Sequence, residues 1–415
     1  MTDEPDAARR HLGALRRKKE ERVTPLELFF DLVFVIALTQ CTELMAAGHT
    51  WHGMSQGVIV LAALWWAWVG YAWLTSVIDA EEGAARLVIF VATAAMLVAA
   101  LCVPEAFGEQ GLAFAIAYGV VRVAHIWLFV LASDDESDLR KSVTGLGVST
   151  AIGVALLVVA SFLDGWEQGA MWIVAIMLDA GGPFLFGAAG WRLVPNHFAE
   201  RHGLIVIIAL GESLVAIGVG AEFGLSGLVI VAAVLGTFLA AAMWWTYFDV
   251  LAPAASLALQ QEPVGRAQNE MARDSYSYLH FLLVVGIAGA AVGMKAVLGH
   301  VDAPLSTVSA VALLGGTTTY LLGTVAFKAR TLRQLSVPRV VAAMAMLVLI
   351  IPAVEIHGLV TLALAAVVFW SLVGFEAFRY AAARETIRHG GDSPIEGSGT
   401  ATGRPTTDGP DAGDG

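Results

Sequence analysis

Charge is scarce in this chain. Only 14% of its 415 residues are Asp, Glu, Lys or Arg, against 57% hydrophobic residues; a soluble domain carries about 25% charged residues. Cysteine is nearly absent too. Cys41 and Cys102 are too few for a disulfide framework or a metal site of their own, and the expectation is two buried free thiols. No Walker loop, zincin histidine pair or nucleophile elbow is present. An enzyme is therefore not expected, and neither is a cofactor. The first apolar run carries acids and lacks a small-residue cleavage site, which argues against a cleavable signal peptide.

What the chain has instead is long apolar runs. They fall at about 25–46, 53–77, 85–103, 111–132, 143–163, 168–190, 202–220, 226–250, 275–298, 305–327, 338–354 and 358–380. Each is about long enough to cross a hydrocarbon core of ~30 Å at 1.5 Å per residue. The fold class expected is an all-α membrane protein of about twelve transmembrane helices. Basic residues support an arrangement with both termini inside. Of 24 Lys and Arg, only Arg122 and Lys295 fall away from the inner side, and the outer loops hold acids alone. An inner (plasma) membrane location is expected.

The runs also look duplicated. Glu21-Arg22 recurs as Glu200-Arg201 and Trp65-Trp66 as Trp244-Trp245, both at an offset of 179; Ala85-Arg86 and Leu139-Arg140 recur at 187 and 193. Six crossings return a chain to its starting side, so two tandem six-helix halves would share one orientation. The divisions expected are a basic arm at 1–21, halves at 22–195 and 196–385, and a disordered polar tail at 386–415. Arg9, Arg10, Arg16, Arg17, Lys18 and Lys19 in the arm suit anionic lipid headgroups, and no nucleic-acid partner is expected.

Acids inside apolar runs demand a reason. Thr24-Pro25-Leu26-Glu27 fits a capping box, with Thr24 as N-cap and Glu27 reaching back. Asp31 lies a turn deeper, beyond the cap's reach, among Phe29, Phe30 and Phe34. The expected partners are Arg122 and His125, three apart on one face of the fourth run. Asp179 precedes Gly181-Gly182-Pro183, which should break the sixth helix. Glu212 lies about 16 Å into the seventh. Counting turns places Asp31, Arg122, His125, Asp179 and Glu212 in a slab roughly 6 Å thick. Such a cluster would bind an ion, a proton or a small polar solute. Asp31 and Glu212 would take the cation or proton, Arg122 would balance charge, and His125 would titrate near neutral pH. The competing reading is a set of structural ion pairs. Trp51, Trp166, Trp172 and Trp191 are expected in interfacial belts. Trp65, Trp66, Trp68, Trp244 and Trp245 are expected to fill the core between halves. A haem held by His125 and His280 is disfavoured, because no helix carries a paired-histidine pattern.

Two stretches carry a family resemblance. Arg22-Val-Thr-Pro-Leu-Glu-Leu-Phe-Phe-Asp31-Leu-Val-Phe-Val-Ile-Ala and Glu200-Arg-His-Gly-Leu-Ile-Val-Ile-Ile-Ala-Leu-Gly-Glu212-Ser closely resemble the signatures of the bacterial low temperature requirement A family. The resemblance spans about residues 20–385 and implies a polytopic membrane protein of unestablished activity, named for a need during growth in the cold. The first stretch also looks like the Arg…Phe-Ser-Asp motif of a bacterial and lysosomal potassium channel family built from six-helix units. Here Phe30 replaces the serine. Asp31 faces Leu210 at an offset of 179, and an alternative register sets Gln40 against Glu212. The aspartate is not repeated, which favours an asymmetric site between unlike halves over a two-fold channel. The resulting expectation is a transporter or permease-like protein; a sensor or scaffold in cold or stress adaptation, or a cation channel, is the alternative.

Overall fold

The computed structural model describes residues 22–81, 83–132, 137–185, 191–220, 224–379 and 381. The basic arm and the polar tail lie outside them. The described residues form helices joined by short loops: α1 (Pro25–Ala46), α2 (Trp51–Thr75), α3 (Gly83–Cys102), α4 (Gly111–Ala132), α5 (Ser137–Ala160), α6 (Gly165–Leu185), α7 (Pro195–Gly220), α8 (Gly227–Phe248), α9 (Leu251–Gln261), α10 (Arg266–Gly299), α11 (Thr307–Leu332), α12 (Val337–Ala353) and α13 (Gly358–Arg379). No strand occurs among them beyond one isolated bridge between Pro304 and His357. Ten helical stretches are long and apolar enough to cross a membrane, and α12 is shorter.

Solvation is inverted relative to a soluble protein. Leu32, Leu87, Val123, Val348 and Val367 are each at least 60% exposed, while Asp31, Arg122, Arg201 and Glu212 are at most 2% exposed. Apolar side chains cover the outside because lipid, not water, is their solvent. The polar residues turn inward, where they meet one another.

The ends follow local rules. Thr24 caps α1: its Oγ1 accepts from Glu27 N at 3.4 Å, and Glu27 Oε2 accepts from Thr24 N at 2.7 Å. The side chains of Thr50, Ser226 and Ser306 accept from the backbone N–H of Gly53, Val229 and Ser309 and so cap α2, α8 and α11, without the reciprocal bond. Thr24→Ala is expected to lower stability by about 1 kcal/mol, read as a drop in the unfolding midpoint of detergent-purified protein. An unchanged midpoint would mean that Glu27 secures this end without the cap.

Two departures from the expected runs shape the interior. The loop before the ninth run contains α9 and the first turns of α10, so α10 begins at Arg266 rather than near 275. Residues Ala272–Leu279 of α10 and Val311–Gly315 of α11 are π-helical, a widening that frequently marks functional sites. Helix α6 runs through Gly181-Gly182-Pro183 to Leu185 without the expected break. Pro183 cannot donate to the carbonyl of Asp179, four residues back, but it stands in the last turn of the helix, and Gly182 packs closely on α5. A Cβ at 182 would fall 2.6 Å from Ser149 Oγ.

At the centre, α10 and α11 cross almost backbone to backbone. A Cβ on Gly286, Gly293 or Gly316 would lie 2.4–2.6 Å from atoms of the facing helix. Small residues permit this approach, the usual basis of helix association in lipid. Helix α2 binds α10 on another face: Trp65 Nε1 donates to Ser277 O and Trp73 Nε1 to Ser277 Oγ, both at 2.8 Å.

The tryptophans divide differently from expectation. Trp51 and Trp166 are exposed, but Trp172 and Trp191 are buried against Phe107 and Phe114, and against Trp73 and Phe129. Trp65, Trp66 and Trp68 lie in the interior, whereas Trp244 is 45% exposed on the outer surface. Proximity to a helix end fixes a ring's depth, not which side of the helix it occupies. Cys41 and Cys102 are free and buried.

Candidate functional site: a polar seam between α1 and α7

Three contacts between α1 and α7 share one sequence separation. His197 Nε2 meets Glu27 Oε1 at 2.9 Å, Arg201 meets Asp31, and Thr42 Oγ1 donates to Glu212 Oε1 at 2.6 Å; the partners are 170 residues apart in each case. A constant offset means that the helices run parallel and in step, since each rises 1.5 Å per residue. The seam is thus a ladder of polar rungs.

The middle rung is a buried ion pair. Asp31 Oδ1 accepts from Arg201 Nη2 and, at 2.7 Å, from Trp68 Nε1. Arg201 Nη1 donates to Thr75 Oγ1 at 2.8 Å, and its guanidinium lies 5.4 Å from the Trp68 ring centroid. Asp31 Oδ2 and Arg201 Nε have no hydrogen-bond partner among the described residues. The pair is tied to α2 but not fully satisfied.

The rung nearest the C-terminal end of α1 holds an acid with no cation in contact among the described residues. Glu212 Oε2 pairs with Thr39 Oγ1 and Oε1 with Thr42 Oγ1, both at 2.6 Å. The same hydroxyls also reach the carbonyls of Val35, at 3.1 Å, and Thr39, at 2.9 Å. A hydroxyl has one proton to donate. If both threonines bond the carboxylate they leave those carbonyls; if they keep the carbonyls, a proton on Glu212 can serve one threonine oxygen. The geometry accommodates either placement. Lys295 pairs instead with Glu43, at 2.5 Å.

A second cluster joins α4, α5 and α6. Arg122 Nη2 donates to Asp179 Oδ1 at 2.7 Å and to Thr150 Oγ1 at 3.0 Å. Thr150 Oγ1 and Tyr118 Oη donate to Asp179 Oδ1 and Oδ2, each at 2.6 Å. Gly153 lets α6 come close enough, since a Cβ there would lie 3.2 Å from Asp179 Cβ. Arg122 Nη1 approaches His125 Nδ1 at 3.4 Å. An arginine can only donate, so Nδ1 accepts and the imidazole proton sits on Nε2.

The third group lies where α7 meets the π-helical stretch of α10. His202 Nδ1 donates to Phe198 O at 2.8 Å, and its Nε2 has no partner among the described residues. His280 Nδ1 donates to Ser275 O at 3.0 Å, and its Nε2 accepts from Tyr247 Oη at 2.7 Å. The two imidazole centroids are 5.3 Å apart, and Tyr276 packs on both. His125 belongs to the α4 cluster, so it is not paired with His280. No group of three or more His, Cys, Asp or Glu close enough to hold a metal ion occurs among the described residues.

Of the five residues expected in one slab, Arg122, His125 and Asp179 come together, while Asp31 and Glu212 do not join them. Asp31 pairs with Arg201 rather than with Arg122. Glu212 lies level with Thr39 and Thr42, 8–11 residues and roughly 12–17 Å along α1 from Asp31. The reason is the start of α7. The helix opens at Pro195 rather than near 202, so seven residues that read as loop are helical, and every depth in α7 moves by roughly 10 Å. Arg201, His197 and His202 therefore lie inside the bundle, and sequence reasoning missed all three. The available signal was Pro195 itself, a residue favoured at the first helical position. Arg339 is a further buried cation, held by Glu376 at 2.8 and 2.9 Å and donating to Thr246 O at 2.8 Å.

Comparison with known proteins agrees with the two signature stretches, which form the two sides of this seam. A curated relative from Rhizobium meliloti (strain 1021), itself described as an uncharacterized protein, is 31% identical over 404 residues, covering 92% of this chain and 97% of the relative. No solved structure matches the chain. The family model described as bacterial low temperature requirement A protein matches residues 22–373, and the chain belongs to that family.

Proposed function

We propose that this protein is a transporter or permease for an ion, a proton or a small polar solute, and not an enzyme. It would reside in the inner membrane with both termini inside, built from two six-helix halves of one orientation. The parallel run of α1 and α7 supports that relation between halves. The observation that carries the transport reading is Glu212, buried between the halves with threonine hydroxyls as its hydrogen-bond partners. Ionisable groups deep in a membrane bundle are costly and usually serve ion or proton pathways. Glu212 would exchange a proton or cation, and the incompletely satisfied Asp31–Arg201 pair would respond to movement of α7 against α1. Asp31, Arg122, His125, Asp179 and Glu212 remain the residues assigned to binding, now divided between the seam and the α4–α6 cluster.

The test is flux through reconstituted proteoliposomes under imposed proton, cation or solute gradients. Glu212→Gln keeps the size and both hydrogen-bonding positions but cannot ionise, so it is expected to fold and to lose at least tenfold in flux. Unchanged flux in the folded variant would remove Glu212 from the pathway. The Arg122–Asp179–Tyr118–Thr150 cluster favours a second reading, a non-transporting sensor or scaffold in cold or stress adaptation, because both Asp179 oxygens are already held by side chains of neighbouring helices. Absence of flux across a broad ion and solute panel, with the fold intact, supports that reading instead.

A further inference from the structure

Lys295 is one of the two basic residues that depart from the clustering of Lys and Arg in alternate loops. Its ammonium pairs with Glu43 at 2.5 Å, bridging α10 to the C-terminal end of α1. The register of the seam fixes where that pair stands. An offset of 170 between Thr42 and Glu212 sets Glu43 level with Ser213. Glu43 and Glu212 therefore differ in height by only about 1.5 Å along the two helices. Glu43 and Lys295 both act electrostatically on Glu212. Two carboxylates thus share one ammonium, and in the structure it sits on Glu43.

The three groups are unequally buried. The side chains of Lys295 and Glu43 are 24% and 46% exposed, whereas Glu212 is 2% exposed. A partly exposed pair gains little from its contact. Attraction between charges grows as water is excluded, so an ionised Glu212 is the stronger partner for an ammonium that is already mostly out of water. Lysine suits a change of partner, being a compact charge on a flexible four-carbon stem. Access from the opposite direction is closed. Beyond the Asp31–Arg201 rung and His202, the buried residues leading to Glu212 are apolar: Phe34, Ala37 and Leu38 on α1, and Ile205, Val206 and Ala209 on α7. Glu212 is thus reached from the end of α1 that Glu43 and Lys295 occupy. We propose that Lys295 is a switching counter-ion for Glu212: its ammonium leaves Glu43 for an ionised Glu212 and returns when a proton or monovalent cation arriving from that end takes its place. The switch rests on the transport reading, to which it adds the residue that competes with the cargo.

The test is a cycle of variants read as unfolding midpoints of detergent-purified protein, in buffer whose only cation is a bulky organic ammonium. In the Glu43→Gln background the lysine has Glu212 as its remaining acid, so Lys295→Met is expected to lower the midpoint by more than it does in the otherwise unaltered protein. Lys295→Arg keeps the charge and is expected to recover most of that loss. With Glu43→Gln and Glu212→Gln combined, Lys295→Met is expected to leave the midpoint unchanged. If that combination does not fold, the comparison between the unaltered and Glu43→Gln backgrounds decides, because loss of the lysine stem alone costs the same in both. An absence of any effect of Lys295→Met once Glu43 is neutral means that Lys295 serves Glu43 alone, and overturns the proposal. Unfolding needs no cargo, so the two readings separate. Coupling of Lys295 to Glu212 without flux keeps the counter-ion and removes the transport reading; flux that depends on Glu212 without such coupling does the reverse.

Discussion

Arg201→Met is expected to destabilise the protein by about 3–5 kcal/mol, the loss seen when one member of a buried ion pair is removed. The substitution keeps most of the side-chain volume but leaves Asp31, 1% exposed, without its cation. Trp68 Nε1 would be its remaining hydrogen-bond donor. Asp31→Asn should do comparable damage by leaving Arg201 charged and uncompensated. The pairing makes a stronger prediction. Combining Asp31→Asn with Arg201→Met removes both charges and preserves an acceptor for Trp68, so most of the loss should be regained. Measured as unfolding midpoints in detergent, a double variant as unstable as the sum of the singles would falsify the view that charge complementarity holds this rung together.

Gly316→Leu is expected to yield no monodisperse folded protein. A Cβ at 316 would lie 2.6 Å from Ala290 N, 2.8 Å from Gly286 O and 2.8 Å from Gly289 C. Those atoms are backbone, so no rotamer change relieves the overlap and α10 must move as a unit. Ordinary overpacking costs about 1–3 kcal/mol; separating a helix pair also forfeits the contacts along its whole length. Gly374→Leu is the matched control, because a Cβ there meets nothing within 4 Å. Size-exclusion profiles of the two variants should differ sharply. A normal profile for Gly316→Leu would mean that the α10–α11 crossing has slack that its contacts give no hint of.

Some of the site was legible because it is local. The Thr24–Glu27 box needs residues three apart, and its geometry follows from the helix alone. The depth of Asp31 in α1 follows from counting turns after a clear cap. Arg122 and His125 share a face for the same reason. The aromatic run in α2 reads as core because a helix apolar on all sides has no face to offer water.

The partners were not legible. Asp31 and Arg201 are 170 residues apart, and nothing in either segment names the other. Periodicity orders residues along a helix but leaves open which helix stands beside it. Depth also failed in α7, since the stretch from Asn196 to Arg201 resembles a loop although His197 and Arg201 are buried and paired. The parallel step of α1 and α7 and the choice of Asp179 over Asp31 by Arg122 are decided by packing.

The sequence by itself determined the class of molecule, the approximate spans and the cap that starts α1, because bilayer thickness and helix rise act locally and leave a composition signature. Only the tertiary structure decided which buried charges meet. In a medium of low dielectric an ion pair is set by contacts of a few ångströms, and those distances depend on how helices far apart in the chain are brought side by side.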